Sequence, residues 1–292
     1  RIQAIWDQTD KTGTDAANTY AHFGRVYEKD EIDMAIDADN NGENPYSYVA
    51  QRDTSGHGTL LASISAGSYT DGYVGVAPGA ELLVVKLKQS KQYLRDFFLI
   101  KDDVPAFEES DIMLALRFLE DYAIRLGKPL IIIFGLGSAN GSRTGASPLA
   151  EMMENLTKKP NISVITCMGN EANNKCHYKG TVMSALVPDV MEINVDGTGK
   201  GFTMEIWADS LDILSVSIES PSGEYVPRIP ARMGASMEYT FLYEGSTVTV
   251  DYQITENVAG MEVIFVRLKT PVEGTWKFYI YSLTNIKGSY NA

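Results

Sequence analysis

The sequence predicts an α/β fold that gives way to an all-β region, and three observations predict it. Helix and strand patterns alternate from the start of the chain to about Asn170. From about Gly180 onward only short strands of alternating polarity remain. Turn clusters such as Ser220-Pro-Ser-Gly223 and Pro271-Val-Glu-Gly274 separate those strands. Alternating strands and helices specify a parallel sheet with helices on its faces, and many short strands with turn signals specify a sandwich or jelly roll. With 292 residues there is chain enough for one or two packed cores, divided here as 1–180 and 181–292.

In chain order, Ile2-Gln-Ala-Ile-Trp6-Asp7 is a short strand-like run. Ser55-Gly56 reads as a turn and helix start, and Leu60, Leu61 and Ile64 have the helical spacing of a buried face. Gly75-Val-Ala-Pro-Gly is a turn that leads into the apolar strand Leu82 to Leu87. The run Asp111 to Gly127 is an amphipathic helix with Asp near its start and Gly at its end. Leu130 to Phe134 reads as a buried strand. Ser147-Pro148 starts another helix, with an N-cap and Pro at the first position, running to about Thr157. Val164 to Cys167 is the next strand. Beyond Gly180, strands are expected at Phe202–Ala208, Leu214–Glu219, Glu238–Tyr243, Thr247–Tyr252, Glu262–Leu268 and Thr275–Tyr281.

The net charge of −13 argues against nucleic acid and against anionic membrane surfaces as partners. No apolar run approaches the length of a transmembrane helix. Two cysteines make no disulfide scaffold and leave both a single bridge and the redox compartment open. Cys167, Cys176 and His177 cluster without zinc spacing, so Cys167 reads as an inert strand residue. Asp37, Asp39 and Asn41, followed by Gly42, spell the first half of a calcium loop, but Tyr48 stands where its Glu belongs. That stretch reads as a solvated turn, with calcium as the alternative; no cofactor is required.

The motif Asp53-Thr-Ser-Gly-His57-Gly-Thr at a helix start, followed by Gly75-Val-Ala-Pro and an apolar strand, resembles the subtilisin-like serine proteases. Two linked motifs in the right order make the resemblance specific. It implies a subtilisin-like parallel sheet flanked by helices, and it implies roles for particular residues. His57 would be the general base. Leu130-Ile-Ile-Ile-Phe-Gly135-Leu136-Gly137 looks like the strand and Gly-rich segment that pairs with an extended substrate, which makes Gly135, Leu136 and Gly137 the substrate-binding residues. Ser163-Val-Ile-Thr-Cys-Met-Gly169-Asn170-Glu171 matches the segment whose Asn donates to the oxyanion.

A protease of this kind also needs an Asp to orient the His and a Ser to attack. Asp7 ends a strand-like run but lacks the following Gly. Arg1-Ile-x-x-Ile-Trp-Asp-Gln-Thr instead resembles the stretch after the catalytic Asp in the clostridial germination-protease (Csp) group, which puts that Asp upstream of Arg1. Gly180-Thr181-Val182-Met183 has Val at the nucleophile position, and Gly234-Ala235-Ser236-Met237 runs into a strand pattern where a helix should open. The expectation is therefore the middle of a longer protease, cut after the Asp and before the Ser. The Csp group carries a jelly-roll insertion between oxyanion Asn and nucleophile, where the all-β region of this chain stands. The implied function is endopeptidase processing of a protein or peptide substrate, in a spore-associated or extracellular setting. Alternatives are a pseudoprotease acting as sensor or scaffold, and a β-domain that binds a partner.

Overall fold

The computed structural model describes residues 1–12, 23–197, 199–208, 213–254, 261–283 and 287–292. They fall into two compact units that interleave along the chain. The first comprises Arg1–Ser90, Phe107–Gly135 and Met152–Cys167, and the second Lys91–Ala106, Leu136–Glu151 and Met168–Ala292.

The first unit is the mixed α/β part. Strand β1 (Ile2–Asp7) pairs antiparallel with β2 (Arg25–Glu28) and parallel with β3 (Leu82–Lys86), giving the order β2-β1-β3. Successive side chains of a strand face opposite sides, and β1 uses both. Ala4 and Trp6 pack on Ala115, Phe118 and Tyr122 of helix α4 (Glu109–Leu126). Ile5, on the other face, packs with Tyr27 and with Ile32 and Ala35 of helix α1 (Lys29–Asn40). Helix α4 follows the expected amphipathic run, and Gly127 closes it with φ 63°, a left-handed C-cap.

Strand β4 (Leu130–Phe134) pairs in parallel with β5 (Ile162–Thr166), as a sheet of their own. The helix α5 (Pro148–Thr157) between them begins where the Ser-Pro signal puts it, with the Ala150 N–H donating to Ser147 Oγ at 3.2 Å. The sequence expectation of a fully buried β4 needs correction. Leu130 and Ile132 are buried, but Ile131 and Ile133 are 65% and 48% exposed. Among the described residues only one face of this pair is covered, so the strand alternates where a doubly covered one would not.

Helix α2 (His57–Ala66) carries the second correction. Its Leu60 and Ile64 are 58% and 47% exposed and only Ala66 is buried, so the apolar spacing marks a face that lacks a cover among the described residues. What anchors α2 is its C-terminal end. The Gly75 N–H donates to the Gly67 carbonyl at 3.1 Å, Val76 to Ile64 at 2.9 Å and Ala77 to Ser65 at 2.8 Å. A Cβ on Gly75 would lie 2.3 Å from the Gly67 nitrogen and 2.8 Å from the Ser63 carbonyl oxygen, so backbone meets backbone there and only glycine fits. The two motifs that stand apart in the sequence are thus one hydrogen-bonded piece, which passes directly into β3.

The second unit holds two antiparallel sheets around one core. Helix α3 (Gln92–Phe97) belongs to it, and its Phe97 stacks on Phe265 with ring centroids 5.6 Å apart. The strands are β6 (Lys179–Val182), β7 (Asp189–Val195), β8 (Gly201–Ala208), β9 (Leu214–Glu219) and β10 (Tyr225–Ile229). They continue with β11 (Ser236–Thr240), β12 (Thr247–Ile254), β13 (Glu262–Lys269), β14 (Gly274–Ser282) and β15 (Gly288–Asn291). The orders are β10-β9-β14-β7 and β11-β12-β13-β8-β15-β6. Val216, Ile218, Trp276, Phe278 and Ile280 of the first sheet share a core with Ile206, Val248, Val250, Ile264, Val266 and Tyr290 of the second. The expected strand Glu238–Tyr243 sits two to three residues earlier, because Phe241 to Gly245 make the turn into β12.

Two outcomes follow from this packing. Gly75→Ala forces a backbone collision and is expected to cost about 1–3 kcal/mol, read as a lower urea midpoint. Glu262 is buried, and burial pushes its carboxyl up to about 7 despite the Leu214 N–H donating to it at 2.6 Å. Between the ordinary value of 4.5 and about 7 the folded chain therefore holds a proton that the unfolded chain has lost. The contribution is greatest below the ordinary value and falls as pH rises through about 7. The melting temperature should drop from pH 5 to pH 8 by the equivalent of roughly 2–3 kcal/mol. Glu262→Gln should flatten that drop, and an equal drop in both proteins would rule the assignment out.

Candidate active site

His57 is the first residue of α2, and its chain direction is set by the turn before it. Gly56 occupies the N-cap position with φ 77°, a left-handed conformation that an L side chain rarely adopts. The His57 N–H donates to Ser55 Oγ at 3.3 Å, and the Leu60 N–H closes the first helical turn on the Gly56 carbonyl at 2.9 Å. The imidazole stands on an exposed residue.

The same first unit contains Gly135, directly after β4. A Cβ there would come within 2.3 Å of Leu61 Cδ1, so α2 and the end of β4 are in close contact four residues beyond His57. The predicted site residues Leu136, Gly137 and Asn170 belong to the second unit. Leu136 and Gly137 continue from β4 outside any hydrogen-bonded strand among the described residues, and nothing fills the space next to Gly137. Asn170 lies four residues past the end of β5, exposed, behind Gly169 at φ 77°. The turn that delivers it starts with the Cys167 N–H donating to the Phe134 carbonyl at 3.4 Å, a continuation of the β4–β5 pairing.

Asp7 is buried at the end of β1, and its carboxylate is engaged locally. Oδ1 accepts from the Thr9 N–H at 2.8 Å and from the Thr9 hydroxyl at 2.5 Å, while Oδ2 faces Lys86 Nζ at 3.3 Å. This is an Asx turn with an ion pair. Ser236 opens the edge strand β11 opposite Asp251, so no helix N-terminus stands behind its hydroxyl. Val182 is likewise a strand residue, buried in the β core.

Neither metal-like stretch forms a ligand set among the described residues. Asp37 and Asp39 lie in the last turns of α1, two positions apart, where helical side chains do not face each other. Asn41 is the C-cap, its N–H donating to the Asp37 carbonyl at 3.0 Å, so this stretch is a helix end where the sequence expectation was a solvated turn. Cys167 and Cys176 are both free and exposed, and Cys167 falls just past β5, outside the strand. His177 Nε2 is 3.2 Å from Asn291 Oδ1. Among the described residues no group of three His, Cys, Asp or Glu side chains could hold a metal ion, and no helix is long and apolar enough to cross a membrane.

One residue of this site was not singled out from the sequence. Asp53 accepts hydrogen bonds from Ser55, Gly56 and Thr59, the residues on either side of His57. The signal was present as an Asp three residues ahead of a glycine N-cap, a spacing that lets a side chain reach the first turn.

Comparisons with known proteins place the fold and the family. The Clostridium perfringens CspB protease has a similar solved structure, with a TM-score of 0.79 at 23% sequence identity. The likeness covers 99% of this chain and 56% of that one, so this chain spans little more than half the length of that relative. At this level of identity the likeness speaks for the fold. None of the curated proteins matches the sequence. The model of the subtilase family (Peptidase S8) matches residues 10–195, which include His57, the Gly75 turn, β3, β4 and Asn170. That match takes in well over half of the chain, and the chain belongs to the subtilase family.

Proposed function

We propose that this chain is part of a subtilisin-like serine endopeptidase that cleaves a protein substrate. The observation that carries the reading is His57 at the first turn of α2, a helix locked at its other end to the Gly75–Ala77 turn, within the span that matches the subtilase family. An imidazole carried by a residue fixed at a helix start and open to solvent can take a proton from a serine and return it to the leaving amine. Asn170 would donate its amide N–H to the oxyanion of the tetrahedral intermediate, a contribution of about 3 kcal/mol in such sites. Gly135, Leu136 and Gly137 would pair with the extended substrate backbone, and the open space beside Gly137 supports a close backbone approach.

The orienting Asp and the nucleophile are proposed to come from further segments. The bare apolar surface of Leu60 and Ile64 on α2, and of Ile131 and Ile133 on β4, is of the kind that further chain covers, and this supports that reading. The two-sheet part of the second unit is proposed to be an inserted jelly-roll domain that braces the catalytic part. The resemblance to the Csp group supports processing of a protein in a spore-associated or extracellular setting.

Expressed alone, the 292-residue chain should not react with a fluorophosphonate probe. Labelling that Ser236→Ala abolished would overturn this account. The longer protein should label and cleave peptides. In it, His57→Ala should abolish labelling, and Asn170→Ala should lower kcat by about 100- to 1,000-fold. A longer protein that folds yet neither labels nor cleaves would instead be a pseudoprotease.

A further inference from the structure

Helix α2 starts without a cap of its own. The first N–H groups of any helix lack intrahelical partners, and a Ser, Thr, Asp or Asn at the N-cap normally supplies an acceptor. Here the N-cap is Gly56, which has no side chain to offer. The acceptor comes from three residues upstream. Asp53 Oδ1 accepts from the Gly56 N–H at 2.8 Å and from the Ser55 N–H at 3.0 Å. Its Oδ2 accepts from the Thr59 N–H at 2.9 Å and from the Thr59 hydroxyl at 2.7 Å.

His57 is held through the same carboxylate. Its own N–H donates to Ser55 Oγ at 3.3 Å, and that hydroxyl donates to Asp53 Oδ1 at 3.2 Å. The residue before the histidine, the histidine itself and the residue two after it are therefore all tied to one side chain. Both oxygens are needed, because the donors divide between them. An Asn would keep one set and present an N–H to the other. The ionised form is the one these donors favour, and the Thr59 N–H and hydroxyl above all hold the carboxyl well below the usual range. Next to the chain, a Cβ on Gly58 would be 3.7 Å from Oδ2, so the carboxylate also lies against the intervening residue.

We propose that Asp53 is the positioning residue for His57: its carboxylate clamps the backbone on both sides of the histidine and so fixes the direction in which the imidazole leaves the helix. This rests on the reading of His57 as the catalytic base, although the clamp itself can be tested without any activity. The role differs from that of the Asp that orients the ring in a catalytic triad, since Asp53 acts on the main chain.

The test is NMR of the whole, uniformly labelled 292-residue chain, reading the His57 HN–Hα coupling, which reports its φ, and the exchange of the Gly56 and Thr59 amides. In the unaltered chain that coupling should have the small value of a helical φ. Asp53→Ala should speed exchange of the Thr59 amide by about fivefold or more and raise the His57 coupling toward the value of a frayed, averaging backbone. Asp53→Asn should keep the Gly56 amide protected and lose protection at Thr59, with a coupling between the two. If Asp53→Ala does not fold, Thr59→Val removes a single donor and should raise the coupling in part. A His57 coupling that stays helical while Thr59 loses protection would overturn the proposal, leaving Asp53 as a helix cap only. In an active longer protein, Asp53→Ala should lower kcat with KM unchanged. An inactive longer protein would sink the proposed function and leave the NMR outcome to decide on the clamp.

Discussion

The close approach of Gly75 to the end of α2 is the constraint on which the first unit of this structure depends. Three backbone hydrogen bonds join residues 75–77 to Gly67, Ile64 and Ser65, and no side chain can stand between them. The consequence runs in two directions. Toward the C-terminus the turn delivers the chain into β3, which pairs with β1 and enters the core beneath α4. Toward the N-terminus it holds a helix that otherwise has little buried surface of its own, so that the histidine at its first turn has a fixed base. A helix of ten residues is marginal by itself in water. Here the C-terminal end, which holds Ala66, the one buried residue of the helix, is secured by main chain as well.

The two units solve the burial problem differently. In the second, alternate residues of ten strands meet in a shared core where Trp276, Phe278, Ile264 and Tyr290 are fully buried. Each sheet covers the inner face of the other, which is the usual way an antiparallel pair satisfies its apolar side. In the first, helices α1 and α4 cover both faces of β1, yet β4 and α2 keep apolar side chains in solvent. That contrast is what supports the proposal that further chain covers the apolar faces of α2 and β4.

Much of the organisation was legible in the sequence because it is written in local terms. The Asp111–Gly127 helix, the Ser147-Pro148 start and the strands at Leu214, Thr247, Glu262 and Thr275 all follow from periodicity and end signals. Two of the elements that escaped had conflicting local signals. Strand β10 contains Pro227, which breaks the alternation rule, and it is tolerated because β10 lies at a sheet edge. Helix α1 was hidden by its acidic end, where Asp37, Asp39 and Asn41 mimic a ligand loop. Burial was misjudged at Leu60, Ile64, Ile131 and Ile133, since periodicity identifies an apolar face and says nothing of what covers it.

The sequence by itself determined the chemistry on offer: a histidine between glycines, an Asn after a strand, and the order of motifs that marks a subtilase. It could do so because each of these is a contiguous stretch whose residue types the backbone requires. Only the tertiary structure decided how the histidine is held. The Gly75 lock and the Asp53 clamp depend on distances between main-chain groups that a one-dimensional spacing does not fix. Folding brings residues 67 and 75 into backbone contact and turns Asp53 back toward Thr59, and those approaches hold the two ends of α2.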